Sequence, residues 1–189
     1  MHLNSKIAAT LLALVALPAA AWAAVIGGTY YAPQYDYSEF FAATDNRPFQ
    51  VVLVGNPFPG ADPNSVARDL LPAMQAAKPR PALTFTYDAP VETPHPYYRL
   101  MLIFDPANDY GSNSACAGVP PRFKPGRPGV MYVFAVYCRN DQVMSETTAW
   151  TPATASNDPR IGALFRELFM VVFSDSPALR PLNGFRGRP

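Results

Sequence analysis

His95 is the first residue to consider for acid–base chemistry, because the only other histidine, His2, lies at the extreme amino terminus. A catalytic histidine needs a carboxylate to orient it and a hydroxyl to activate. The available partners are Asp88, Glu92, Asp105, Ser112, Ser114 and Ser145. No G-x-S-x-G motif surrounds any of these serines. His95 itself lies in the proline-flanked segment PHPYY, which favours a solvated loop histidine.

A pair of carboxylates would suit glycoside cleavage, in which one group acts as an acid and the other as a base or nucleophile. The candidates are Glu39, Glu92, Glu146 and Glu167. They are scattered along the chain, and no spacing pairs them. The sequence therefore favours a non-catalytic protein. The alternative is a small secreted hydrolase that uses His95 or these carboxylates.

The stretch VVLVGNPFPGADPNSVARDLL, residues 51–71, has the strand, glycine-containing loop and helix of a phosphate-binding loop. Gly55 and Gly60 are correctly separated, but Ala61 and Asp62 stand where Lys and Ser or Thr are required. Its prolines also remove backbone amide donors. The stretch therefore predicts a strand-to-helix turn in which Asp62 caps the helix, and it predicts no nucleotide.

Two cysteines, Cys116 and Cys138, are present. A disulfide, a metal pair and a catalytic thiol are the three possible roles. The spacing is not that of metal ligands, and one nearby histidine is too few to complete a site. In an exported chain an even pair predicts a disulfide, so we expect neither a metal nor another cofactor.

An aromatic-rich segment, residues 24–46, precedes the first clear strand. Its rings follow neither a period of 2 nor one of 3.6, which predicts an arm lying across the domain. Such rings either pack on the sheet or form a surface that stacks on sugars or on a partner protein. The residues of this possible binding surface are Tyr30, Tyr31, Tyr35, Tyr37, Phe40 and Phe41.

Residues 1–23 predict a secretory signal peptide. Lys6 precedes a short apolar run, and Ala21-Trp22-Ala23 forms an A-x-A cleavage site. The run is too short to cross about 30 Å of hydrocarbon, and no later stretch is long enough either. We therefore expect a soluble periplasmic or secreted protein whose mature chain begins at Ala24.

The charge balance bears on the partners. Of 15 Lys and Arg residues, Lys6 lies in the predicted signal peptide, which leaves 14 against 14 Asp and Glu. A chain with almost no net charge has no broad field to recruit nucleic acid. An envelope protein or a glycan is the more plausible partner outside the cytoplasm.

The remaining patterns predict a single α+β domain over residues 47–175, followed by a flexible tail, 176–189. Strands are expected at residues 49–54, 83–87, 97–104, 130–138 and 143–150. A helix that Pro72 should kink or end follows Asp62, and a second helix follows Asp158. The expected fold is a two-layer sandwich of two helices on a mainly antiparallel sheet of about five strands, with the last four strands in antiparallel pairs.

Several segments together resemble a family of uncharacterised exported proteobacterial envelope proteins, a domain of unknown function. They are RPFQVVLVGNPFPG, PYYRLMLIFDPA, CAG, FAVYCRND and TPATASNDPRIGALFRELF, within residues 47–173. The family has no assigned catalytic residues, so the resemblance implies export and an α+β fold and nothing about a reaction. The sequence therefore favours a non-catalytic, soluble periplasmic accessory or binding protein of the cell envelope, with its ligand unknown.

Overall fold

A computed structural model describes residues 24–177, so the predicted signal peptide and residues 178–189 lie outside the described residues. The described part is an α+β fold with a six-stranded sheet and four helices. The strands are β1 (Val25–Tyr31), β2 (Pro48–Val54), β3 (Thr84–Thr86), β4 (Tyr98–Phe104), β5 (Val130–Arg139) and β6 (Gln142–Pro152). The helices are α1 (Tyr37–Thr44), α2 (Pro63–Ala76), α3 (Ser112–Cys116) and α4 (Pro159–Val172).

The sheet has the order β1-β6-β5-β4-β2-β3 and is mixed. Strands β3 and β4 both run parallel to β2, whereas β4, β5, β6 and β1 pair antiparallel in turn. The sheet has six strands rather than about five, and it is mainly antiparallel, as predicted. The predicted pair of β5 and β6 is present, whereas the predicted pairing of β3 with β4 was wrong because β2 lies between them. The two predicted helices are present as α2 and α4, and the helices α1 and α3 were not predicted.

One face of the sheet, called here the helix face, packs against α1, α2 and α4. Its core is rich in aromatic rings: Phe40 of α1 stacks on Phe173, with ring centroids 4.5 Å apart. Phe40 also meets Phe49 and Tyr137 of the sheet, edge to face. Apolar burial of this kind supplies most of the free energy that stabilises a fold.

Both long helices begin as the sequence predicts. The side chains of Asp62 and Asp158 accept hydrogen bonds from the backbone amides of Ser65 and Arg160, and a proline follows each cap. Of the two predicted effects of Pro72, a kink or an end, the end was wrong, because α2 continues to Ala76. Pro72 and Arg68 are exposed, so water can hydrate the Arg68 carbonyl group that the proline leaves without a helical partner.

The opposite face, called here the outer face, has no long helix on it. Residues 105–129, which the sequence predicts as one long loop, include the short helix α3. With the cysteine pair, α3 covers a small second core that includes Met101, Ile103 and Val136. Helix α3 lies against β5 and β6 and leaves β1 and part of β6 open. Within residues 24–177, no helix has both the length and the apolar character needed to cross a membrane.

Candidate functional site

Two tyrosines of the predicted aromatic arm have structural partners. The Tyr31 hydroxyl donates to the Val171 carbonyl oxygen at 2.5 Å, and the Tyr35 hydroxyl donates to that of Ser174 at 2.7 Å. The last carbonyl groups of a helix have no partner within the helix. These two side chains therefore tie β1 and the following turn to the carboxyl end of α4.

The other four aromatic residues of the arm do not lie together on one surface. Phe40 is completely buried, and the Tyr37 hydroxyl donates to the Arg80 carbonyl oxygen at 2.7 Å. Tyr30 is 46% exposed and Phe41 41% exposed, but Tyr30 is on β1 and Phe41 is on α1. Of the six predicted residues, Tyr30 lines a cleft together with Glu146 of β6.

The structure does not assemble a triad around His95. His95 is exposed in the loop before β4 and lines neither of the two clefts that Glu146 lines. The hydroxyl of Ser145 is buried and donates to the Val172 carbonyl oxygen at 2.5 Å. Ser112, at the start of α3, lines both of these clefts.

The four candidate glutamates also have different surroundings. Arg139 donates to both carboxylate oxygens of Glu39, at 3.1 and 3.0 Å, and the Tyr98 hydroxyl donates to the same carboxylate. This network fastens α1 to β4 and β5. Burial and the Glu39 hydrogen bond raise the pKa of Tyr98 to about 12. Glu92 and Glu167 are exposed, in a loop and on α4.

The stretch that has the outline of a phosphate-binding loop, residues 51–71, is held by its own side chains. Asn56 donates to the Ala61 carbonyl oxygen at 3.0 Å and accepts from the Phe58 amide at 2.9 Å. Gly55 has a φ of 84°, and a Cβ there would lie 2.7 Å from the Phe123 ring. The carboxylate of Asp62 accepts from the Ser65 amide at 2.9 Å. The loop is therefore a turn that ends in a helix cap.

The structure places Cys116 and Cys138 at disulfide distance, with Cα atoms 5.5 Å apart. The pair joins α3 to β5 on the outer face. Arg99 reinforces the same junction, because its guanidinium donates to the carbonyl oxygens of Cys116 and Asn140 at 2.5 and 2.8 Å. Among the described residues, no group of three or more His, Cys, Asp or Glu side chains is placed to hold a metal ion.

The open part of the outer face forms a long depression, called here the outer groove. It consists of two clefts of about 600 and 460 Å³ that share Ser112 and Glu146 as lining residues. The first cleft is lined by Tyr30, Gln34, Asn113 and Gln142 as well. The second includes Gly28, Lys124, Tyr132, Phe134 and Thr148.

Strand geometry keeps the groove open. The register of β1 against β6 shifts between Ile26 and Thr29, and a Cβ on Gly27 would lie 2.0 Å from the Thr148 hydroxyl oxygen. A side chain at position 27 would therefore collide with the Thr148 hydroxyl unless Thr148 moved. Gly28, the next residue, adds no side chain over the floor.

Two cations lie over aromatic rings on the outer face, and one of them, Lys124, lines the groove. The Lys124 ammonium lies 4.8 Å from the centroid of the Tyr132 ring, and the Arg127 guanidinium lies 5.0 Å from that of Trp150. These cation–π contacts hold the end of the 105–129 segment against the sheet. Burial raises the pKa of the nearby Asp105 carboxyl, and Lys124 and Arg127 oppose that rise.

Glu146 is at the centre of the groove. It is half-buried on β6 and faces the outer side together with Thr148, since Ser145 and Thr147 between them are buried on the helix face. Its carboxylate forms no hydrogen bond or ion pair within residues 24–177. Sequence reasoning named Glu146 only as one of several scattered carboxylates. The alternation along β6 was the available signal that it shares a face with Tyr30.

The sequence matches no protein-family model and no curated protein. Among solved structures, the chain is similar to the PelC dodecamer from Paraburkholderia phytofirmans, with 11% sequence identity and a TM-score of 0.40. The similarity covers 79% of this chain and 96% of that chain. At this TM-score the likeness supports no inference about function.

Proposed function

We propose that this protein is a non-catalytic accessory or binding protein of the cell envelope, exported to the periplasm, which holds its ligand in the outer groove. The observation that carries the proposal is the carboxylate of Glu146. Its side chain is half-buried in the groove and has no hydrogen-bond or ion-pair partner among the described residues, so its carboxylate is available to a ligand. A ligand that occupies the groove would replace the water around this carboxylate with its own hydrogen-bond donors.

The absence of converging catalytic groups favours binding over hydrolysis. A hydrolytic site requires a nucleophile, a base and an orienting group within hydrogen-bond reach of one another. Here Glu39 is held by Arg139, Ser145 by the carboxyl end of α4, and His95 is outside the groove. Asp109, which lines the groove with Glu146, is paired with Arg122.

The test is capture of envelope components by the immobilised mature protein. Wild-type protein, Glu146→Ala and Glu167→Ala would each be incubated with periplasmic and membrane extracts. Glu167 is an exposed carboxylate on α4, outside the groove, and so serves as the matched control. We expect wild type and Glu167→Ala to retain the same component and Glu146→Ala to retain much less.

Two results would overturn the proposal. Equal capture by Glu146→Ala would show that the groove is not the site, and recovery of a cleaved ligand would show a hydrolase. Export is tested separately by amino-terminal sequencing of the protein from the producing cell. The proposal requires a start at or near Ala24, and an intact amino terminus in the cytoplasmic fraction would contradict it.

A further inference from the structure

The shape of the outer groove suits an extended ligand. Its two clefts share Ser112 and Glu146, so together they form one depression that follows β6 from Gln142 to Thr148. A strand advances about 3.3 Å per residue, which gives a length of about 20 Å. Small molecules usually occupy enclosed pockets that bury most of their surface. An open channel of this length has room for several units of a polymer.

The side chains of the first cleft suit hydroxyl groups. Gln34, Asn113 and Gln142 present planar amides, and Glu146 presents two acceptor oxygens. Gln34 donates to the Val143 carbonyl oxygen at 3.4 Å and the Gln142 side-chain oxygen accepts from Arg139 at 3.2 Å, so each of these two amides keeps part of its hydrogen-bonding capacity for a ligand. Amides and carboxylates of this kind can bond two neighbouring hydroxyl groups of a sugar ring at once. Ser112 adds a group that both donates and accepts.

Tyr30 supplies an aromatic ring at the same end. It is the most exposed of the groove's rings, since Phe134 is 8% exposed and Tyr132 lies under the Lys124 ammonium. An exposed tyrosine offers apolar area together with a polar tip. The C–H face of a sugar ring, with hydroxyl groups at its edge, matches that combination.

Peptides and nucleic acids fit the groove less well. A peptide that adds a strand needs the unpaired backbone groups of a sheet edge, and those of β1 point along the sheet, away from the groove floor. A nucleic acid needs cations for its phosphates. The groove instead contains the carboxylates of Glu146 and Asp141, and its Lys124 is held over a ring.

We infer that the outer groove binds an uncharged glycan chain, with Glu146 and the amides bonding its hydroxyl groups and Tyr30 stacking on one ring. The inference rests on the proposed function and names the class of ligand that the same site takes. Glu146 is the central contact because it lines both clefts.

The experiment is a calorimetric titration of the mature protein with uncharged oligosaccharides. The probes are a panel of tetrasaccharides: cellotetraose, maltotetraose, mannotetraose and tetra-N-acetylchitotetraose. Tetralysine is included as a cationic peptide of similar length. Trp150 lies on the outer face, and Trp22 is within the predicted signal peptide. The fluorescence of the mature chain therefore provides a second reading of the same binding.

We expect at least one tetrasaccharide to bind with an affinity that is unchanged by added salt. Tyr30→Ala should raise the Kd of that tetrasaccharide about tenfold because it removes one stacking contact. Glu146→Ala should raise it about tenfold because it removes one hydrogen bond to a charged group. The matched controls are Phe41→Ala, an aromatic residue of similar exposure on α1, and Glu167→Ala, an exposed carboxylate on α4. Both controls should keep the wild-type Kd, and thermal melts check that all four variants are folded.

Failure of the whole panel to bind would overturn the glycan inference. So would binding of tetralysine alone with an affinity that falls as salt is added, because this would show attraction of a cation. If the envelope capture still depends on Glu146 in either case, the proposed function stands and only the ligand class is wrong. If capture does not depend on Glu146, the proposed function fails as well.

Discussion

The two faces of the sheet use their polar side chains differently. On the helix face, the hydroxyls of Tyr31, Tyr35 and Ser145 donate to carbonyl oxygens at the carboxyl end of α4. On the outer face, Glu146 has no partner among the described residues, and Lys124 and Arg127 are held over rings. Polar groups that are buried and hydrogen-bonded stabilise a fold, whereas polar groups that remain exposed to solvent can bind a ligand. We therefore expect substitutions on the helix face to affect stability most and, under the proposed function, substitutions in the outer groove to affect binding.

The largest expected effect is on the helix face. Phe40→Ala removes a fully buried ring that contacts Phe49, Tyr137 and Phe173. It should lower the free energy of unfolding by about 3–5 kcal/mol, measured by urea denaturation. Phe41→Ala, the neighbouring exposed ring, should change it by no more than about 0.5 kcal/mol. Similar losses from both changes would contradict the assignment of α1 to the core.

The second effect concerns the cover of the outer face. Cys116 and Cys138 are 22 positions apart, and closing such a loop stabilises a protein by about 3 kcal/mol in the chain-entropy model. Cys116→Ser should therefore lower the melting temperature by several degrees. Mass spectrometry without reduction should find the two cysteines joined in the wild type. Two thiols that alkylate freely in the native protein would rule out the bond.

A smaller effect is expected at the start of α2. Asp62→Ala removes the side chain that accepts from the Ser65 amide and should cost about 0.5–2 kcal/mol. Asp62→Lys should also destabilise, because it places a cation at the positive end of the helix dipole. Glu167→Ala is the control, and thermal melts with and without millimolar ATP or phosphate are the measurement. A gain of several degrees from ATP in the wild type would refute a capping-only role.

The smallest expected effect is an increase in stability. Thr151 faces the helix side of β6, and its hydroxyl is the only buried side-chain oxygen within residues 24–177 that lacks a hydrogen bond. Thr151→Val removes that unpaired group at nearly constant volume and should stabilise the protein by about 1 kcal/mol. Thr154→Val, at an exposed site, should leave the melting temperature unchanged. A loss of stability from Thr151→Val would mean that the hydroxyl has a partner in solution.

Local patterns predicted those elements that depend on neighbouring residues. The run before Gly55 predicted β2, and Asp62 and Asp158 predicted two helix starts. The strands predicted at residues 130–138 and 143–150 form the expected antiparallel pair, β5 and β6. The sheet order was not predictable in this way, because nothing local shows that β2 lies between β3 and β4. Residues 24–46 showed no period because they divide into a strand, a turn and a short helix.

The outer groove was harder to predict than the fold. Its lining comes from β1, β6 and the segment after β4, so Tyr30, Ser112 and Glu146 meet only after long-range pairing. Of the predicted binding residues, Tyr30 lines it, and whether it takes part in binding stays a prediction. The cysteine pair was predictable because its chemistry depends on residue type and number more than on position.

The most direct test of the division between the two faces is amide hydrogen exchange, measured by mass spectrometry. The mature protein would be compared alone and with the envelope component that it retains. If the ligand binds in the outer groove, amide exchange should slow in residues 28–34 and 106–113. These two segments line the groove and are not in central strands. Exchange in residues 37–44 and 55–62 should not change. Slower exchange confined to residues 37–44 or 55–62 would place the ligand on another surface and contradict the account.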